Sequence, residues 1–198
     1  EASAILTCMD EPLGTTIGNR LEVEECADFL EAKFRDPDLE KVVLALAVAM
    51  VELASRRQVS EAQALKTCQS VLNSGEAFIE FIRMFEAQGG NWQTFKKNES
   101  SGQLKVFEAK AHESGYLEKF SALELGKLLV RLGGGRKIAS DAVDPDVGIR
   151  TFVKIGDRLE KGQTLLKVFY RNESERAEIE AASAVAVRLG KKSVAPTN

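Results

Sequence analysis

The stretch AILTCMDEPLGTTIGNRLEVEE, residues 4–25, decides the reading of the fold. Residues 4–9 are an apolar, strand-like run. Pro12, Gly14 and Gly18 then mark residues 10–18 as a loop. Asn19 is expected to cap a helix that carries Glu22, Glu24, Glu25 and Asp28 near its start, acids suited to the positive end of a helix dipole. Leu21, Cys26, Phe29, Leu30 and Phe34 supply its apolar side. Strand, loop and helix in this order make one unit of an α/β domain. A core strand needs neighbours, yet the next strand-like run begins only near residue 103. The expectation is therefore a chain cut from something longer, with Ile5 and Leu6 paired to strands outside this sequence.

Working outward, the first half is helical. Asp36-Pro37 opens a second helix, proline being suited to the first turn, and the run from Leu39 to Leu53 is apolar nearly all round, which predicts a buried helix. Ser60 and Gln63 form a capping-box pattern for a third helix ending near Gly75, and a fourth spans about residues 76–87. Residues 91–102 read as a polar linker. Beyond them, short strands are expected at residues 103–109, 116–120, 148–155 and 163–170. Ser121 caps a helix over residues 122–132 that Gly133-Gly134-Gly135 ends, and an amphipathic helix is expected over residues 173–189, before a frayed tail at 191–198. The fold class is thus an α/β fragment, one strand plus helices, in residues 1–95, followed by an α+β C-terminal domain with a sandwich-like hairpin in residues 96–198.

Composition narrows the function. Of 198 residues, 44% are hydrophobic and 29% charged, the balance of a chain that can build a core. The formal net charge of −3 leaves no basic surplus to draw nucleic acid or an anionic membrane. The longest apolar run, residues 42–51, is half the roughly 20 residues a membrane helix needs. Residues 4–9 are not expected to follow a signal peptide. Cys8, Cys26 and Cys68 never form a CxxC pair, which predicts buried free thiols and a cytoplasmic location.

Few segments could carry chemistry. His112 is the one histidine, and no GxSxG elbow or zinc-ligand spacing accompanies it, so a solvated turn residue is expected. Gly133-Gly134-Gly135-Arg136 follows a helix instead of preceding one, so it presents no helix N-terminus to a phosphate. The loop of residues 12–18 lies between strand and helix, where α/β sheets bind ligands. Its carbonyls, with Glu22, Glu24 or Glu25, would make the oxygen-rich set a hard cation prefers. A tight turn with acids serving the helix dipole accounts for the same residues. Residues 154–168 resemble the hairpins of biotinyl and lipoyl carriers but lack a Met-Lys-Met-type tip, which leaves a structural hairpin.

Three segments together carry a family resemblance. Residues 4–25 resemble the "LTDM…PLG…GNALEV.E" stretch of thymidine and pyrimidine-nucleoside phosphorylases. Residues 132–149, LGGGRKIASDAVDPDVGI, resemble that family's "LGAGR…D.ID..VGI", and residues 154–168 are similar to the hairpin that follows it. Their order and spacing extend the resemblance over essentially the whole chain. It implies the C-terminal part of a pentosyltransferase in which phosphate, the co-substrate, attacks C1′ of thymidine, uridine or both. The products are free base and a (deoxy)ribose 1-phosphate. It also implies a homodimer built through an N-terminal helical domain that this sequence lacks.

The family's KxSTGG-type phosphate loop and its base-binding Arg, Ser and Lys have no counterpart here. No catalytic residue is therefore assigned, and the chain alone is expected to be inactive. One site is implied, a potassium ion held by the carbonyls of Leu13 and Thr16 and by Glu25. Cys8 stands where the family has Asp, and Thr16 and Arg20 stand where Ala is usual. Two alternatives remain: an AMP-type nucleotide phosphorylase sharing the C-terminal motifs, and a noncatalytic carrier or interaction module built on the 154–168 hairpin.

Overall fold

A computed structural model describes residues 1–97 and 103–194. In it the strand expected over residues 4–9 does not form: these residues have no regular structure, and Leu6 and Met9 are exposed. Apolar, β-prone residues become a strand only where a partner offers its hydrogen-bonding edge, and neither sheet of the described residues pairs with them. The chain divides into two compact units, Glu1–Thr7 with Glu25–Glu99, and Cys8–Glu24 with Ser100–Asn198.

The first unit is helical. Helix α1 (Asn19–Leu30) runs into it and is followed by α2 (Pro37–Ala54), α3 (Glu61–Ser74), α4 (Glu76–Ala87) and α5 (Trp92–Lys97). The Asp36 carboxylate accepts the N–H groups of Asp38 and Leu39, both at 3.1 Å, which satisfies donors the first turn of α2 leaves open. Ser60 and Gln63 form the expected capping box of α3. Arg35 joins two helix ends: it donates to Phe29 O at the end of α1, and to Leu72 O and Asn73 Oδ1 at the end of α3.

Two expectations fail in this unit. Helix α2 packs against α3 but is not buried all round; Val48 is covered, whereas Leu46 and Met50 are exposed. The expected linker over residues 91–102 contains α5 instead, and its residues 98–102 lie outside the described residues. Asn91 Oδ1 accepts Thr94 N–H at 2.8 Å and starts the helix. Trp92 then buries itself among Phe78, Phe81, Phe85 and Phe95, edge-on to the first three and stacked on Phe95 at a centroid distance of 5.2 Å. Burial of that aromatic surface, not polar composition, decides the local structure.

The second unit holds two antiparallel sheets. One has the order β1 (Thr16–Ile17), β4 (Gly148–Thr151), β6 (Thr164–Tyr170), β2 (Lys105–Lys110). The other has the order β5 (Arg158–Leu159), β3 (Gly115–Phe120), β7 (Val187–Gly190). Strands β4 and β6 pair from Gly148↔Phe169 to Thr151↔Leu166, while β5, between them in sequence, joins the other sheet. On β6, Leu166, Val168 and Tyr170 alternate inward, the period of a strand with one covered face.

Helix α6 (Ala122–Arg131) adds Leu125 and Leu128 to the same core, and α7 (Arg176–Ala186) adds Ile179, Ala182 and Ala186 at helical spacing. The helix expected over residues 173–189 is therefore shorter. It opens as a 3-10 turn at Glu173–Glu175 and ends at Ala186, where Val187–Gly190 pairs with β3. An available strand edge overrides helix periodicity there.

The cysteines also depart from expectation. Cys26 is exposed, and Cys8 and Cys68 are half-buried. No helix of the described residues is long and apolar enough to cross a membrane. Leu166 is fully buried at the centre of the second core. Leu166→Ala should destabilise that unit by about 2–5 kcal/mol, as measured by urea unfolding. A loss below about 1 kcal/mol would mean the core is not assembled around β6.

Candidate functional site

Residues 10–20, the loop singled out in the sequence, are held by partners far along the chain. Asp10 O accepts Ala122 N–H at 3.0 Å. The buried Glu11 carboxylate accepts Ile155 N–H at 2.8 Å. The Lys154 ammonium donates to Pro12 O and Leu13 O, each at 2.8 Å, and to Gly14 O at 3.3 Å. Thr15 O accepts both the N–H and the hydroxyl of Thr151. Thr16 and Ile17 then form β1 against Arg150 and Ile149. Gly148 lets them approach, because a Cβ there would stand 2.9 Å from Ile17 O and 2.7 Å from Leu21 Cδ1.

The start of α1 is fixed in the same way. Asn19 is the first helical residue, not a cap, and its side-chain amide donates to Gly134 O. Glu22 takes the capping role, its carboxylate accepting Gly18 N–H at 2.9 Å. Arg20, unusual in the sequence, finds a partner in Asp146, with Nε donating to Oδ1 at 2.8 Å. The Asp146 side chain is only 2% exposed and also accepts from Arg171 Nη2 at 3.0 Å. Arg171 further donates Nε and Nη2 to the two oxygens of Asp144. The Asp-Pro-Asp of residues 144–146 is thus an ionic staple between the start of α1 and the end of β6.

This geometry sorts the candidates. Gly133, at φ 89°, follows the end of α6 in a left-handed turn, so the Gly133–Arg136 segment terminates a helix. His112 is exposed and 3.5 Å from Glu113, a surface pair without a nucleophile in the arrangement. Of the residues implied for potassium, Leu13 and Thr16 belong to the second unit and Glu25 to the first. Thr16 is buried in β1, and Glu25 is half-buried on α1. The Leu13 carbonyl already accepts the Lys154 ammonium, and a second cation at that oxygen would be repelled by it. Among the described residues no three His, Cys, Asp or Glu side chains gather to hold a metal.

The structure brings forward Glu11, Asp144, Asp146, Lys154 and Arg171, none of which spacing alone marked. Arg20 was the available signal, since a cation in place of a small residue calls for an acid elsewhere. The Arg171 guanidinium holds the Asp144 carboxyl below its ordinary value, partial burial opposing and the Asp146 N–H adding to the effect. A depressed carboxylate stabilises the fold above the unfolded value of about 3.9 and loses that contribution as pH falls through the lower folded value. Asp144→Asn should therefore flatten the acid limb of the stability curve below about pH 4, measured by denaturant unfolding at several pH values. An unchanged acid limb would place the Asp144–Arg171 pair outside the stabilising network.

Comparison with known proteins adds to this geometry. Residues 116–189, which run from β3 into β7, match the family model described as the pyrimidine nucleoside phosphorylase C-terminal domain. Over 190 residues, 94% of this chain, the sequence is 36% identical to a thymidine phosphorylase of Mesorhizobium japonicum. The chain spans 42% of that relative's length. Motif order, the domain match and the identity over 94% of the chain agree, and together they support placing the chain with the thymidine and pyrimidine-nucleoside phosphorylases.

Proposed function

We propose that this chain is the C-terminal part of a pyrimidine-nucleoside phosphorylase and serves it as scaffold, not as the source of its reacting groups. The observation that carries the reading is the 36% identity to a thymidine phosphorylase across 94% of the chain. Phosphate attacks C1′ of the nucleoside while the base departs. Positive charge then spreads over the sugar and negative charge gathers on the base. Such a transition state calls for an anion cradle for phosphate and donors or cations at the base. Neither motif occurs in the sequence, so those groups belong to other parts of the parent protein.

Residues 1–95 are then part of a larger α/β domain, which accords with the exposure of Leu6, Leu46 and Met50. Residues 96–198 are the C-terminal domain, extended by residues 8–24 that fold with it. The parent is proposed to be a cytoplasmic homodimer.

Two assays test this. The 198-residue chain incubated with thymidine or uridine and phosphate should release no base above the no-enzyme control; clear turnover would place the chemistry within these residues. A longer protein containing this chain should release base from a nucleoside. Preference for a nucleoside 5′-monophosphate would overturn the nucleoside reading in favour of a nucleotide phosphorylase.

A further inference from the structure

Strand β2 stands at the end of its sheet, so among the described residues no strand pairs with its outer edge. Helix α7 runs beside it. The Lys105 ammonium, where β2 begins, donates at 2.9 Å to the carboxylate of Glu173 in the turn that opens α7. The Arg176 guanidinium then lies 5.8 Å from the centre of the Phe107 ring. Further along, helix and strand share a groove of about 450 Å³. Phe107 and Ala109 line it, and so do Glu108 and Lys110. Successive residues of a strand point to opposite faces, so all four border one groove only where it follows the strand's edge. The other wall is Glu180, Ser183 and Ala184 of α7, one stripe at helical spacing, with Val187 just beyond.

Two sets of polar groups stand open along this groove. A strand edge presents the N–H and C=O groups that a neighbouring strand would pair. Ser183 is only 3% exposed, and among the described residues its hydroxyl has no hydrogen-bond partner. A buried hydroxyl without a partner costs stability, and one on the wall of a groove gains its partner from what fills the groove. Phe107, Leu165 and Val187 are apolar and Ala184 is small, so the remaining walls suit compact apolar side chains.

We propose that the groove between β2 and α7 binds an extended peptide segment, which joins the sheet as a strand beside β2. Its backbone pairs with the open edge, its small or β-branched side chains pack against α7, and one of its polar groups meets the Ser183 hydroxyl. A second copy of β2 is a poor occupant. In the fully overlapped antiparallel register Lys105 would face Lys110 at both ends, and like charges directly opposite one another destabilise a strand pair. The inference stands on the groove geometry and is independent of whether the parent performs phosphorolysis.

The test titrates the 198-residue chain with the capped peptide acetyl-Lys-Val-Thr-Val-Thr-Lys-amide and follows the backbone amides by NMR. Binding should saturate with a dissociation constant of about 1 mM or tighter. The shifts should be confined to β2 and α7, and amides of β2 should exchange more slowly with the peptide bound. The same peptide N-methylated at every residue keeps its charges and side chains but loses its N–H donors, and it should not bind. Ala184→Arg, at an exposed helix position, should block the groove and abolish binding without moving the unfolding midpoint. Ser183→Ala should weaken binding about five-fold, the worth of one hydrogen bond. No saturable binding, shifts centred outside β2 and α7, equal binding of the N-methylated peptide, or unchanged affinity in either variant would each overturn the proposal.

Discussion

Five backbone oxygens of residues 10–15 find partners outside their own segment. Asp10, Pro12, Leu13, Gly14 and Thr15 all offer carbonyls to Ala122, Lys154 or Thr151, and β1 then pairs with β4. A backbone polar group left unpaired inside a protein costs about as much as a lost hydrogen bond, so this segment is stable only where those donors exist. The partners lie more than a hundred residues further along the chain. That constraint explains why residues 8–24 join the second unit although the helices that follow them in sequence make up the first.

Charge extends the same arrangement. Asp146 is nearly sealed from solvent and accepts from both Arg20 and Arg171. Removing one partner from a buried ion pair is far more costly than the net worth of the pair, because the remaining charge is left uncompensated. Arg20 therefore makes sense only together with the acid it meets. The loop of residues 133–147 works as a strap that carries this acid to the start of α1.

Much of this architecture was legible before the structure. Asp36, Ser60 and Ser121 cap the helices they were expected to cap, because those signals are local. A strand was expected over residues 163–170, and β6 forms at Thr164–Tyr170. What escaped was decided by distant partners. Residues 4–9 have strand composition but no strand to pair with, while Val187–Gly190 continues a helical pattern yet meets the free edge of β3. Trp92 turns a polar segment helical by burying its ring among phenylalanines. The ammonium that meets Leu13 comes from Lys154, a residue whose neighbours in sequence give no hint of that contact.

A loop that follows the N-terminal segment and precedes α1 is fixed by hydrogen bonds and charge to the C-terminal sheets. Movement of those sheets would then move the loop with them. Native-state hydrogen exchange tests this most directly. The amides of Thr151, Ile155 and Arg20, which donate to Thr15 O, the Glu11 carboxylate and Pro145 O, should exchange with the same opening free energy as the β4–β6 ladder. Exchange of these three amides at the rate of unprotected surface groups, while the β4–β6 ladder stays protected, would contradict the account.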